Sequence, residues 1–233
     1  MTDYSSFTEI KFCGVLCVLN ADASLYLPEY KALVIADLHL EKGQALSRAA
    51  PLPPFDTDAC LAKLSLSIMR IKPETVIFLG DSFHTSQHAF QLSDRHKKQL
   101  AEMAKARNFI WITGNHDEKL PDFLPGRVSS ELTLGPLYLC HQITGENAFH
   151  TGQICGHYHP KARLNLQAGK LSRPCFIHDD RRLILPAYGV YTGGLNILDD
   201  AIQTILTADQ TAHFCHADKI FSYRVDRRVF LKS

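Results

Sequence analysis

Thr75-Val76-Ile77-Phe78-Leu79-Gly80-Asp81-Ser82-Phe83-His84 is an apolar, β-branched run that stops at a glycine and then delivers a carboxylate and an imidazole. A short run of this kind, closed by a turn residue, reads as a buried strand that hands its polar side chains to the loop beyond. The same order occurs on either side of it. Ala32 to Ala36 runs into Asp37-Leu38-His39, and Phe109 to Thr113 runs into Gly114-Asn115-His116-Asp117. Between the runs, Asp56 or Thr57 can cap a helix that turns Cys60, Leu61, Leu64, Ile68 and Met69 inward, and a second helix is expected from Gln87 to Ala106. This alternation is βαβ-like through residue 113.

Outward from this centre, Ile10 to Leu19 reads as one further strand, and Pro51 to Pro54 as a loop ahead of the first helix. After Pro121 the pattern changes to short strands near Leu132, at Leu137 to Cys140, Gln153 to Cys155, Cys175 to His178 and Leu183 to Leu185, separated by Gly and Pro turns. A second sheet is expected there. Two sheets stacked face to face with helices outside bury both inner faces, and loops from their strand ends converge along one edge. The fold class is α/β, with residues 1–233 forming one domain.

With 233 residues, 45% of them apolar and 21% charged, the chain can bury a sizeable core without disulfides. A formal charge of +1 and the absence of long like-charge runs leave no electrostatic footprint for long duplex nucleic acid. Seven scattered cysteines, Cys13, Cys17, Cys60, Cys140, Cys155, Cys175 and Cys215, lack paired metal or redox spacing and suggest a reducing compartment. The longest apolar run, Phe12 to Leu19, is too short to span a bilayer, so no membrane association and a cytoplasmic location are expected.

Two more polar clusters complete the set: His141, and Gly156-His157-Tyr158-His159. Two carboxylates, one amide and several imidazoles suit manganese, iron or zinc better than magnesium or calcium, and the clusters read as one site for two divalent metal ions. Two ions about 3.5 to 4 Å apart need a shared ligand, and Asp81 is the expected bridge. In an extended Asp37-Leu38-His39 segment both polar side chains face one side and can bind one ion. His157 and His159 share that spacing, although each can serve a different ion. Gly80, Gly114 and Gly156 allow sharp turns before the ligands. Such a centre is net positive, attracts phosphate, and supplies hydroxide near neutral pH from a water held between the ions. His116, beside the ligand Asn115, is suited to protonate the leaving oxygen.

The ordered clusters resemble the calcineurin-like metallophosphoesterase superfamily, and the Gly-Asp-x-Phe-His form resembles its DNA-repair nuclease branch. Asp37-Leu38-His39-Leu40-Glu41-Lys42-Gly43, Leu52-Pro53-Pro54, Gly156-His157-Tyr158-His159-Pro160-Lys161 and Leu185-Pro186-Ala187-Tyr188-Gly189 through Tyr191-Thr192-Gly193-Gly194-Leu195-Asn196 are similar to the bacterial ligase-associated DNA damage response endonuclease family. The resemblance implies a four-layer αββα sandwich and a metal-dependent phosphodiesterase, a DNA endonuclease in repair, using manganese. It implies one ion on Asp37, His39, Asp81 and His159 and a second on Asp81, Asn115, His141 and His157, with His116 as the leaving-group acid. His84 stands where general phosphatases carry an aspartate, and by resemblance supports His116 and the substrate phosphate. The family context implies functional association with a DNA ligase and a helicase. No separate DNA-binding cap is expected within these 233 residues.

Other readings compete at several positions. His150 is the alternative to His141, and His84 can also act as a helix cap or support. His88, four residues after His84, fits a solvated helix face, and His213, Cys215 and His216 fit a structural role near a terminal strand. Lys161, Arg163, Arg173, Arg181 and Arg182 could contact phosphates or simply be solvated. Tyr158, Tyr188 and Tyr191 could stack on a base or pack. The Tyr191 to Gly194 stretch reads as a tight turn, or as a close backbone approach to the site. For the whole chain, the rivals are a phosphoesterase of small molecules and an inactive protein-binding scaffold.

Overall fold

In the computed structural model, the residues described are 6–43, 55–143, 152–166, 169–190, 192–207 and 209–225. The first sheet has seven strands in chain order: β1 (Phe7–Phe12), β2 (Val15–Asn20), β3 (Leu25–Leu27), β4 (Ala32–Ile35), β5 (Thr75–Leu79), β6 (Asn108–Ile112) and β7 (Arg127–Ser129). β1 to β4 pair antiparallel, and β4 to β7 pair parallel. The crossovers carry α1 (Phe55–Ile71), and α2 (Ser86–Phe90) with α3 (Asp94–Ala104).

The second sheet contains β8 (Glu131–Leu134), β9 (Leu137–Cys140), β10 (Gly152–Cys155), β12 (Gly169–His178), β13 (Arg182–Ile184), β14 (Thr211–His216) and β15 (Lys219–Arg224), with β11 (Lys161–Leu166) hairpinned onto β12. Its centre, β9, β10 and β13, is parallel; the remaining pairs are antiparallel. Both sheets are mixed.

Strand alternation sorts side chains into three layers of core. Ala32, Val34, Ile77, Leu79, Ile110 and Ile112 face the second sheet and meet Leu137, Leu139, Ile154, Phe176 and Leu183. Their neighbours Leu33, Ile35, Val76, Phe78, Phe109 and Trp111 face outward under Leu61, Leu64, Ile68 and Leu100 of the helices. Phe78 stacks on Trp111 with ring centroids 3.7 Å apart. Because β4 to β6 are covered on both sides they are apolar throughout, which is why the sequence shows runs and not alternation there. The outer face of the second sheet carries Cys155, Cys175, Ile177 and Ile184 beneath Ile197, Leu198 and the one-turn helix α4 (Asp200–Gln203). The layering is the expected αββα, with a thin last layer.

Several local expectations are corrected. Ile10 to Leu19 is a hairpin and not one strand, because Cys13 and Gly14 both take positive φ (48° and 87°), the two-residue turn whose twist matches paired strands. The long second helix is two helices, each started by a hydroxyl cap: Thr85 accepts from the His88 N–H and Ser93 from the His96 N–H. Met69 points outward, 65% exposed. The change of sheet comes after Ser129 and not at Pro121, since β7 still pairs with β6. Pro51 to Pro54, His150 and Tyr191 lie outside the described residues.

Candidate metal centre

The polar clusters all sit where strands end: Asp37 and His39 after β4, Asp81 after β5, Asn115 and His116 after β6, His141 after β9, and His157 and His159 after β10. Of these strands β5, β6 and β10 run parallel to a neighbour on both sides, β4 does so with β5 and β9 with β10, so their carboxyl ends gather at one edge of the sandwich. The backbone then leaves extended geometry. Asp37, His39, Asp81, His157 and His159 all have positive φ, between 44° and 70°. The convergence of Asp37 with His39 therefore comes from left-handed kinks and not from the extended alternation expected, and the same kinks at His157 and His159 send these two side chains to different triads. Such backbone is costly for non-glycine residues and persists where its surroundings hold it. Here, the Asp37 N–H donates to the Gly80 carbonyl, the His39 N–H to that of Asp81, and the Leu40 N–H to that of Ser82.

Two triads result. In the first, Asp37 Oδ1 lies 3.1 Å from His159 Nε2, which lies 3.3 Å from His39 Nε2. In the second, His141 Nε2 lies 3.3 Å from Asp81 Oδ2 and 3.2 Å from His157 Nδ1. Asn115 Oδ1 joins the second, 3.0 Å from His141 Nε2 and 2.9 Å from His157 Nδ1. The triads adjoin: the His157 N–H donates to both Asp37 oxygens, at 3.0 and 3.2 Å.

Divalent cations fit this donor set. His141 Nδ1 is placed to donate to the Leu79 carbonyl at 3.1 Å, which leaves Nε2 with a lone pair facing the Asp81, Asn115 and His157 acceptors. Acceptors that converge on one point repel one another unless a cation lies among them. The charge states of His39 and His157 agree with ligation. Burial, with His159 beside it, pushes His39 down to about 3, and burial together with His141 lowers His157, so both keep neutral rings. Burial also opposes charge on His141, but its contact with Asp81 and the Asp37 and Asp81 charges outweigh it and raise its pKa. Asp81 is held at about 2 against its own burial by His141 and the His116 N–H.

The glycines serve close approach more than turning. A Cβ on Gly80 would lie 2.2 Å from His141 Nδ1, one on Gly114 2.1 Å from Asp81 Oδ1, and one on Gly156 2.6 Å from Asp37 Oδ2. Only Gly80 of the three also needs positive φ, at 79°. Glycines of the later motif do the same job: a Cβ on Gly189 would meet the Leu38 carbonyl at 2.3 Å, and one on Gly194 the His159 carbonyl at 2.2 Å.

His116 stands over the site. Its Nδ1 is 3.0 Å from the His84 carbonyl, its Nε2 4.0 Å from Asp81 Oδ2, and its ring 5.4 Å from that of His39. His84 thus supports His116 through its backbone oxygen, with the two rings stacked 6.0 Å apart. A residue that sequence reasoning left without a role is Asp117. Fully buried, it accepts from the N–H groups of Ser82 (2.7 Å), Phe83 (3.2 Å) and Gly114 (2.8 Å), fastening the Asp81 loop to the Asn115 loop. Its place after Asn115-His116 was the available signal.

The remaining candidates separate cleanly. His88 bonds Thr85 Oγ1 within α2, His213 bonds Ser222 Oγ and stacks on His178, and His216 accepts from Arg173, so none of these joins a triad. Tyr158 packs edge-on against His157, and Tyr188 is buried with its hydroxyl on Ser67. Arg182 bonds the Gln153 side chain and the Ile205 carbonyl. Lys161 and Arg163 remain near the centre, and Lys42, quoted in the first motif without a role of its own, joins them: burial, Arg163 and Lys42 all depress the Lys161 ammonium.

Residues 30–205 match the family model described as calcineurin-like phosphoesterase. Among solved structures, the chain is similar to the Pseudomonas putida nuclease MPE, with 25% identity and a TM-score of 0.73 over 93% of this chain and 100% of that one. It also aligns with Yfce, a phosphoesterase from E. coli, at 14% identity and a TM-score of 0.45, over 83% of this chain and 97% of that one, a likeness too slight to bear on function. No curated protein matches the chain.

Proposed function

The chain belongs to the calcineurin-like phosphoesterase family, a family of metal-dependent phosphoester hydrolases, and from that premise we propose a dinuclear phosphodiesterase that cleaves DNA strands. The observation that carries the reading is the pair of adjoining triads with His116 Nε2 poised 4.0 Å from Asp81 Oδ2. Asp37, His39, Asp81 and His159 are assigned to one ion and Asp81, Asn115, His141 and His157 to the other, with residues 1–233 as one domain because both sheets supply ligands. Two bound divalent cations would supply an activated water and neutralise charge on the phosphate oxygens.

The chain's own residues do the rest. Asp81 Oδ1 accepts from the His116 N–H at 2.9 Å, so the carboxylate is held in place with Oδ2 directed at His141, and it would serve as a metal ligand there. With Nδ1–H directed at the His84 carbonyl, His116 presents Nε2–H to the departing alkoxide and gives it a proton. Similarity over the whole of a nuclease supports a nucleic-acid strand as substrate, and the motif likeness supports DNA, manganese as the native ion and a repair setting with a ligase and a helicase.

The test is a matrix of divalent metals against substrates on metal-stripped protein. Manganese-dependent cleavage of single-stranded, nicked or flapped DNA is the expected outcome. Turnover confined to small phosphate esters would overturn the substrate assignment.

A further inference from the structure

Beside the first triad the surface is cationic. Lys161 opens β11 two residues after His159, and Arg163 shares its face of the strand, because the intervening Ala162 is buried on the opposite side. Lys161 is positioned and not free: its Nζ donates to the Thr192 carbonyl at 3.0 Å, and its stem runs over Gly194, where a Cβ would lie 3.1 Å from both Cγ and Cε. Thr192 in turn lines one small cleft with His39 and Lys42, so the ligand His39, Lys42 and the Lys161 anchor border the same hollow. All three cations are half-buried.

The charge there is only partly compensated. Among the described residues no carboxylate lies within 4 Å of Lys42, Lys161 or Arg163, whereas Lys31, Arg70, Arg95, Lys97, Lys105 and Arg224 each have such a partner. Asp56 lines the cleft as well, but it is buried and its Oδ2 takes the Gly43 N–H, so three cations stand against one carboxylate. Half-buried ammonium and guanidinium groups without an ion-pair partner among the described residues, beside a centre for phosphoester hydrolysis, suit a second phosphate.

We infer that Lys42, Lys161 and Arg163 form a phosphate subsite that holds the phosphate next to the scissile one in a nucleic-acid strand. This rests on the phosphodiesterase reading. It makes the enzyme select chains over isolated esters: a single-phosphate substrate fills the metal centre only, and a strand gains the subsite in addition. Phosphate contacts carry no base information, so the selection is for a polyphosphate backbone and not for sequence.

The experiment uses the full-length manganese-loaded protein and two readouts. In the first, kcat/KM is measured on the dinucleotide TpT, with one phosphodiester, and on a twelve-nucleotide single strand of thymidines. In Lys161→Ala/Arg163→Ala and in Lys42→Ala the strand-to-dinucleotide ratio falls about tenfold or more, and Lys161→Arg restores it in part. In the second, anisotropy of a labelled phosphorothioate strand gives affinity against salt. The double variant loses at least about 0.7 from the log–log slope, as expected for one lost single-strand phosphate contact, and Lys105→Ala, on the remote end of α3, does not.

A ratio and a slope that stay at wild-type values in all the subsite variants would overturn the subsite. If the wild-type protein hydrolyses neither substrate but binds the strand with a slope that depends on these cations, the phosphodiesterase reading fails and the subsite stands.

Discussion

His116 and Asp81 are neighbours with separable duties, and substitution distinguishes them. Asp81→Ala removes an oxygen that faces His141 at 3.3 Å and is expected to lose both metal and activity. His116→Ala leaves both triads intact and should slow hydrolysis by roughly 10²-fold or more while metal content is unchanged. That defect should shrink on a nitrophenyl ester, whose leaving group needs little protonation; equal defects on both esters would remove His116 from the acid role. Gly156→Ala should push Asp37 aside, since the new methyl lies 2.6 Å from Oδ2, lowering metal content at a stability cost of about 1–3 kcal/mol. Metal analysis beside thermal unfolding checks it. At this scale the ligand types were legible, because metal chemistry restricts them to a few side chains in recognisable order. The duties of Asp117 and of the His84 carbonyl were not, since Asp117 acts on backbone N–H groups of a loop about thirty residues away and His84 through its own backbone oxygen, and backbone partners leave no mark on residue type.

Between elements, Asp22 ties the β2–β3 turn to α1. Its Oδ1 accepts from the Ser24 N–H and hydroxyl, and its Oδ2 from the Ser67 hydroxyl at 2.8 Å and Arg70 at 2.6 Å. Burial alone would raise this carboxyl, yet the Ser24 and Ser67 hydrogen bonds and Arg70 outweigh it and hold the pKa below the ordinary carboxylate value. A depressed folded pKa means that the stabilisation is present above the unfolded value and is lost as pH falls through the folded one. Asp22→Asn should therefore cost about 1–3 kcal/mol at neutral pH, with the gap to wild type closing below about pH 4. Denaturant midpoints at pH 7 and pH 3 decide it, and a gap of constant size would contradict the account. The strands beneath the site were legible as apolar runs because they are covered on both faces. The turn at Cys13-Gly14 was not, because a cysteine in left-handed geometry interrupts no hydrophobic pattern. The break at Gln91 to Ser93 escaped for a related reason: Ser93 reads equally as a polar residue on a helix surface and as a cap.

Across the whole molecule, the site is where the two sheets meet, with Asp37, His39, Asp81 and Asn115 from the first and His141, His157 and His159 from the second. The family match covers the span from which all seven proposed ligands come. Cations bound across that seam bind the folded chain and not the unfolded one, so the melting temperature should rise with manganese concentration and fall with chelator; a temperature indifferent to both would argue against a shared centre. Elements far apart in sequence are brought together by sheet pairing, which is why the order of motifs suggested one site before any distance was known. The division of the ligands between two ions came from the family resemblance and not from the spacing of the motifs. The most direct test is elemental analysis of manganese-reconstituted protein after exhaustive dialysis, for wild type and Asp81→Ala together. The account predicts about two ions per wild-type chain and a clear loss in the variant, as a shared carboxylate requires. A wild-type chain that retains no metal, or an Asp81→Ala chain that retains as much as wild type, would contradict it.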